Sequence, residues 1–232
     1  MKKAIKPSRQ DGFTIVELLI ATSIFSVILL TALAGFIEIG RLFYKGVSTT
    51  GTQNIANQIS QDILGDFTTA ENVSSASSGN GYTYYCVGNT RYTYNLGFRL
   101  DTSAAANHAA PVPDGSGGNF GLLRDNLPGS SACAAPCNDQ VVTPCPTSTV
   151  KFNNPIEMLG DNMRLSDFSI QPDAGVGANF YNISIVIAYG DDDRLGYNDV
   201  NDPSTVYCKG NSRDQQFCSI SRIGTGVFRG GR

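Results

Sequence analysis

The hydrophobic positions of the chain fall into two helical regimes. Residues 18–37 carry no charged side chain. A helix over that stretch reaches about 30 Å, the thickness of a hydrocarbon core. Farther on, Ile55, Ile59, Ile63 and Phe67 recur every fourth residue and are joined by Leu64, while Asp62 and Asp66 lie off that stripe. This is the pattern of an amphipathic half-helix packing on a globular domain. Gly35, Gly40, Gly46 and Gly51 each cost such a helix about 1 kcal/mol relative to alanine, so bending or local melting is expected around residues 40–51.

The pattern changes at residues 74–81 (SSASSGNG), which end the helix. Residues 82–87 and 91–99 are rich in Tyr, Thr and Val around Gly88-Asn89, a hairpin signal. Residues 102–146 are dominated by Ala, Pro, Gly, Ser and Asn. They read as surface loop with a short strand at 120–124. A loop of that length is commonly functional or stapled. A short helix or turn is expected near 156–159, and strands at 163–171 and 180–189. In the latter, Ile183, Ile185 and Ile187 alternate with Ser184, Val186 and Ala188, so the strand is buried on both faces. Residues 206–209 and 217–222 read as a last hairpin, and the Gly/Arg-rich tail 224–232 as flexible.

Charge sharpens the first regime. Lys2, Lys3, Lys6 and Arg9 precede the apolar run against Asp11 alone, a net of +3 in a chain of net −3. The rest of the chain is therefore −6. Basic residues before a membrane helix place the N-terminus in the cytoplasm and the remainder outside. A soluble cytoplasmic enzyme is largely excluded. Glu17, at the leading edge of the run, would cost up to about 2.5–3.5 kcal/mol deep in a bilayer and so calls for a partner. The plainer placement is the headgroup layer, as an N-terminal helix acid. A cleaved secretory signal would be shorter and closed by small residues; a plain signal anchor fits the hydropathy equally well.

The residues around Glu17 are more specific. A short basic leader ends at Gly12. Phe13 follows, Glu17 stands fifth from Phe13, and an unbroken apolar helix continues. This arrangement resembles the processing signature of type IV pilins and pseudopilins. The resemblance implies cleavage between Gly12 and Phe13 by a membrane prepilin peptidase, followed by methylation of the new Phe13 amine. It also implies that Glu17 answers that amine, its own or a neighbour's, in the assembled filament. Methylation keeps the amine positive, so the pairing survives it. The order of later features, with "GLLRDN" at 121–126 and "NPIEMLGDNMRLSDFSI" at 154–170, is similar to W-type minor pilins and to the J subunit of type II secretion pseudopilins.

The resemblance and the pattern together give an α+β fold. A long N-terminal helix, with a membrane half and an amphipathic half, packs on an antiparallel β-sheet head. The expected divisions are a leader at 1–12, the helix at 13–73 with its transmembrane part at about 13–37, and an extracytoplasmic head at 74–232. The expected role is a minor type IV pilin-like subunit assembled into, or priming, an extracellular pilus. The alternatives are a minor pseudopilin of a secretion or DNA-uptake machine, and a signal-anchored adhesin or binding module. The implied partners are other pilin subunits through the helix, the prepilin peptidase, an inner-membrane assembly platform and, before assembly, membrane lipid.

Other candidate chemistry in the chain has plainer readings beside it. Cys86, Cys133, Cys137, Cys145, Cys208 and Cys218 all follow the membrane run, and an even number in an oxidising compartment reads as disulfides. Cys208 pairs with Cys218 on the presumed last hairpin, Cys86 takes one of the middle three, and the other two pair locally. A zinc site from Cys133, Cys137 and Cys145 lacks a fourth ligand. Asp191, Asp193, Asn198 and Asp199 are weak calcium candidates in an acidic loop whose register does not fit a calcium-binding loop; a solvated turn is the plainer reading. His108 is the single histidine and gives little basis for catalysis, so no enzymatic activity, catalytic residue or cofactor is expected. Arg222, Arg229 and Arg232 read as a solvated tail, which makes nucleic acid an improbable partner. Tyr82, Tyr84, Tyr85, Tyr92 and Tyr94 read as sheet packing before they read as a binding face.

Overall fold

A computed structural model describes residues 12–74, 77–79, 82–97, 112–113, 119–128, 133–137, 149–160, 162–173, 175–177, 179–199, 201–211 and 215–230. The element order opens with one helix, α1 (Ile15–Thr69), running unbroken through Gly35, Gly40, Gly46 and Gly51. The expected local melting is therefore absent, because i→i+4 bonding continues through each of these positions. The chain divides into two compact units, Met1–Phe43 and Tyr44–Arg232, and α1 contributes to both.

The strands follow in order: β1 (Ser77–Gly79), β2 (Tyr82–Val87), β3 (Thr90–Tyr94), β4 (Val112–Pro113), β5 (Asn119–Phe120), β6 (Leu122–Asn126), β7 (Ala135–Cys137), β8 (Thr149–Lys151) and β9 (Ile156–Glu157). After these come β10 (Met163–Pro172), β11 (Phe180–Tyr189), β12 (Leu195–Tyr197), β13 (Val206–Cys208) and β14 (Ser219–Phe228). Short 3-10 turns stand at Pro203–Thr205 and Gln215–Phe217. One antiparallel sheet has the order β1-β2-β3-β6-β9, and another has β10-β11-β14. Smaller ladders join β12 to β13, β4 to β5, and β7 to β8, the last parallel. An apolar helix with antiparallel sheets is the expected α+β, pilin-like layout.

The β2–β3 hairpin turns at Gly88-Asn89 as the sequence indicates. Gly88 has φ +58°, and a Cβ there would lie 3.1 Å from the Ala70 Cα. Both conditions favour glycine.

Several expected elements differ. The 156–159 segment is not helical: Ile156 and Glu157 pair with Arg124 and Leu123 at the sheet edge. The strand expected at 120–124 is β6, shifted to Leu122–Asn126, while Phe120 pairs with Val112. Strand β3 ends at Tyr94, short of residue 99. Residues 206–209 and 217–222 do not form one hairpin, since β13 pairs with β12 and β14 with β11. Most of the expected flexible tail is β14, whose ten residues pair in register with β11 from Ser219↔Tyr189 to Phe228↔Phe180. Gly226 makes this possible, because a Cβ there would collide with the Phe180 ring that lies across it.

The main core lies under the second half of α1. Ile59, Ile63 and Phe67 are almost wholly buried against Tyr85, Tyr92 and Leu122 of the first sheet and Leu165, Phe168, Ile183 and Ile185 of the second. Tyr85, Tyr92 and Tyr94 group around the Phe168 ring, with centroids 5.6, 6.2 and 5.0 Å away. Such ring pairs contribute about 0.5–1.5 kcal/mol beyond burial. The other face of β11 presents Val186 and Ala188 to Leu195, Val206 and Cys218, which explains its apolar residues on both faces.

Candidate functional site

The N-terminal segment is built from the helix start outward. Glu17 N donates to Thr14 Oγ1 at 3.2 Å, while Thr14 N and Oγ1 face Glu17 Oε2 at 3.5 and 3.4 Å. This reciprocal pattern is a capping box, which satisfies amides left over at a helix start. It sets the first turn immediately after Phe13. Gly12 and Phe13 stand outside the helix, exposed, with open space around Gly12. A non-helical, uncovered Gly12–Phe13 bond is the form a peptidase can engage.

Beyond the cap, the first half of α1 is apolar and uncovered. Leu30 and Phe36 are 70% and 80% exposed. Its few polar side chains turn inward to the helix backbone. Thr22, Ser23, Ser26 and Thr31 donate to the carbonyls of Leu18, Ile20, Thr22 and Ile28 at 2.8–3.0 Å. Polar groups satisfied within the helix are what a lipid environment requires. By length and composition α1 is able to cross a membrane.

The prokaryotic N-terminal methylation motif matches residues 7–33. This supports a type IV pilin or pseudopilin-type precursor, and together with the apolar helix it fits a membrane-anchored one. No curated protein and no solved structure matches the chain.

In the head the candidate residues separate. Cys208 is bonded to Cys218 and Cys86 to Cys133. The first bridge is the expected pair, although it joins two ladders and not the arms of one hairpin. The zinc alternative loses Cys133 to its disulfide. Cys145, the Cys137 side chain, His108, Arg232 and the basic leader lie outside the described residues.

The calcium candidates make local bonds, Asp193 and Asp199 through their carboxylates and Asp191 and Asn198 through their backbone. Asp193 pairs with Arg194 at 3.3 Å, Asp199 Oδ1 accepts from Asn201 N at 2.9 Å, and Asn198 N reaches the Thr205 carbonyl at 3.4 Å. Asp191 accepts Arg194 N and Leu195 N through its carbonyl. Among the described residues no three His, Cys, Asp or Glu side chains gather in a metal-binding group. Arg222 donates to the Ser204 and Val206 carbonyls, and Arg229 to Asn179 Oδ1, so both stitch loops together. Tyr85, Tyr92 and Tyr94 are core residues, and Tyr84 packs beside Cys86 and Leu127.

Three polar anchors were not evident from the sequence. Asp66, off the helix stripe, makes a bidentate pair with Arg124, its Oδ1 2.8 Å from Nη2, and accepts the Tyr92 hydroxyl. Burial, reinforced by the Asp66 carboxylate, pushes the Tyr92 phenol well above its ordinary range. Arg91 and Asp125 form a fully buried pair at 2.6 Å. The remaining Arg91 donors hold the Ala134, Val150 and Lys151 carbonyls. Glu157 accepts from Gly121 N, Leu122 N and Leu159 N at 3.1, 3.3 and 2.8 Å. Burial raises its carboxyl from 4.5 to about 7, against the opposing pull of these amides. The one available signal was Arg91, a lone charge among the Thr and Tyr residues of β3, since a buried arginine calls for a counter-charge.

Proposed function

We propose that the chain is the precursor of a minor type IV pilin-like subunit. It is cleaved after Gly12, N-methylated on Phe13, and assembled through α1 into an extracellular pilus or its priming complex. The observation that carries this reading is the methylation motif over residues 7–33, standing on the first half of α1, whose apolar side chains have no cover of their own.

The role is mechanical and not catalytic. In the precursor the Phe13 nitrogen is an amide, and Glu17 is occupied with Thr14. Cleavage turns that nitrogen into a cation one helical turn from Glu17. The carboxylate can then exchange Thr14 for its own amine or that of a neighbouring subunit, which ties axial position to charge pairing. The apolar faces, held in lipid before assembly, bury against the same faces of other subunits afterwards, so the total apolar exposure stays low throughout. The basic leader holds the N-terminus at the cytoplasmic face, where the peptidase and assembly platform act, and the disulfide-bonded head stands outside.

The test is recovery of Glu17→Ala and of the unaltered chain in filaments sheared from cells. The expected result is a folded, membrane-bound variant that is missing from the sheared fraction. Equal recovery of both would overturn the pairing role.

A further inference from the structure

Residues 45–52 of α1 hold Gly46 and Gly51, the weakest helix formers short of proline, yet the helix is continuous there. On α1, complete burial begins only at Thr52. What lies against the preceding two turns is the end of the loop closed by Cys208–Cys218. Lys45 Nζ donates to the carbonyls of Gln215 and Cys218 at 3.0 and 2.6 Å. Ser48 Oγ reaches the Gln216 carbonyl at 3.5 Å, and the Tyr44 and Phe217 rings are 5.8 Å apart.

These carbonyls belong to the turn Gln215–Phe217 and the residue after it; the Gln215 carbonyl also accepts Cys218 N at 3.3 Å, so Lys45 is a second donor there. A cation is the natural cap. Burial lowers the Lys45 pKa, as expected of an ammonium drawn from water into this contact. The loop is held in turn by its own bonds. Gln215 Nε2 donates to the Cys208 and Gly210 carbonyls, and Cys218 is fully buried beside Val206.

We infer that the Cys208–Cys218 bridge is a redox-dependent clamp that keeps α1 helical across residues 45–52 by presenting carbonyl acceptors to Lys45. A dithiol reductant opens it. The S–S bond takes two electrons and two protons to give two thiols, and the reductant becomes its own disulfide. The loop then gains conformational freedom, the acceptors leave Lys45, and the glycine-weakened turns lose their cover. The clamp does not depend on the pilin reading, since it acts within one chain.

Amide hydrogen exchange on the full chain in detergent micelles, oxidised against dithiothreitol-treated, tests it. Residues 55–67, whose stripe of Ala56, Ile59, Ile63 and Phe67 is buried under both sheets, serve as the internal control. Exchange at 45–52 is expected to rise at least tenfold on reduction while 55–67 keep their protection. Lys45→Met, which retains helix propensity and leaves the Cys208–Cys218 bridge intact, is expected to raise exchange in the same segment. Reduction that also exposes 55–67 signals general unfolding, and Lys45→Met then decides. Unchanged protection at 45–52 in Lys45→Met, or in the reduced chain with 55–67 protected, overturns the clamp.

Discussion

The two halves of α1 are built from similar residues and meet opposite fates. In the first, Phe36 is 80% exposed; in the second, Phe67 is 0% exposed. Both are phenylalanines in one continuous helix. The difference lies in the spacing of polar neighbours. Around Phe67, Ile63 and Ile59 the apolar positions keep to one face, and Asp62 and Asp66 occupy the rest, so a sheet can cover the stripe while water meets the other side. Between Leu18 and Ile37 no charged residue interrupts the apolar surface, so no single protein face could bury it. One half is covered by its own head; the other, on the proposed reading, is for lipid or copies of itself.

The largest effects should come from breaking the second half. Phe67→Ala is expected to cost about 3–5 kcal/mol of head stability by denaturant titration, through lost burial and the cavity left behind. Ile28→Ala, in the first half, should shift the same transition by less than about 0.5 kcal/mol. Comparable losses at both sites would erase the distinction. Asp125→Ala belongs with the large effects. It strands the buried Arg91 charge and should cost about 3–5 kcal/mol.

A smaller effect is carried by Glu157 and pH. Its carboxyl titrates at about 7 when folded and near 4.5 when free, so the folded state binds the proton more tightly. Its contribution is therefore most favourable below pH 4.5 and is lost as pH rises through 7, by up to roughly 3 kcal/mol. Melting temperatures followed from pH 5 to 8 should fall more steeply for the unaltered chain than for Glu157→Gln. Parallel curves would contradict this assignment.

The smallest effect on the head should come from Thr14→Ala. It removes the capping box at the far end of the helix, costing about 1 kcal/mol of local helix stability and leaving the head transition in place. Fraying would be visible by amide exchange in the first turn alone.

These contrasts also mark how far sequence reasoning reaches. Local and periodic features were legible. The stripe from Ile55 to Phe67, the Gly88-Asn89 turn, the both-face burial of β11 and the Cys208–Cys218 pair all depend on neighbours close in the chain or on simple spacing. Features set by distant partners were not. The segment after Gly224 looks flexible on composition, yet β11 supplies a ten-residue partner edge and Phe180 covers Gly226. Ile156 and Glu157 have no strand signature, and their strand exists because β6 offers an edge. Asp66 sits off the stripe and reads as a solvent residue until Arg124 arrives from another element. Weak helix propensity at Gly46 and Gly51 did not interrupt α1, and neither did Gly35 and Gly40.

The central claim is that the apolar half of α1 belongs to a processed, assembling subunit. Intact-mass and N-terminal analysis of the chain from host membranes and from sheared surface material addresses it most directly. The account predicts a chain beginning at methylated Phe13 in the sheared fraction. A chain that keeps Met1 in a host with active prepilin peptidase would contradict it and leave an anchored domain in place of a pilin-like subunit.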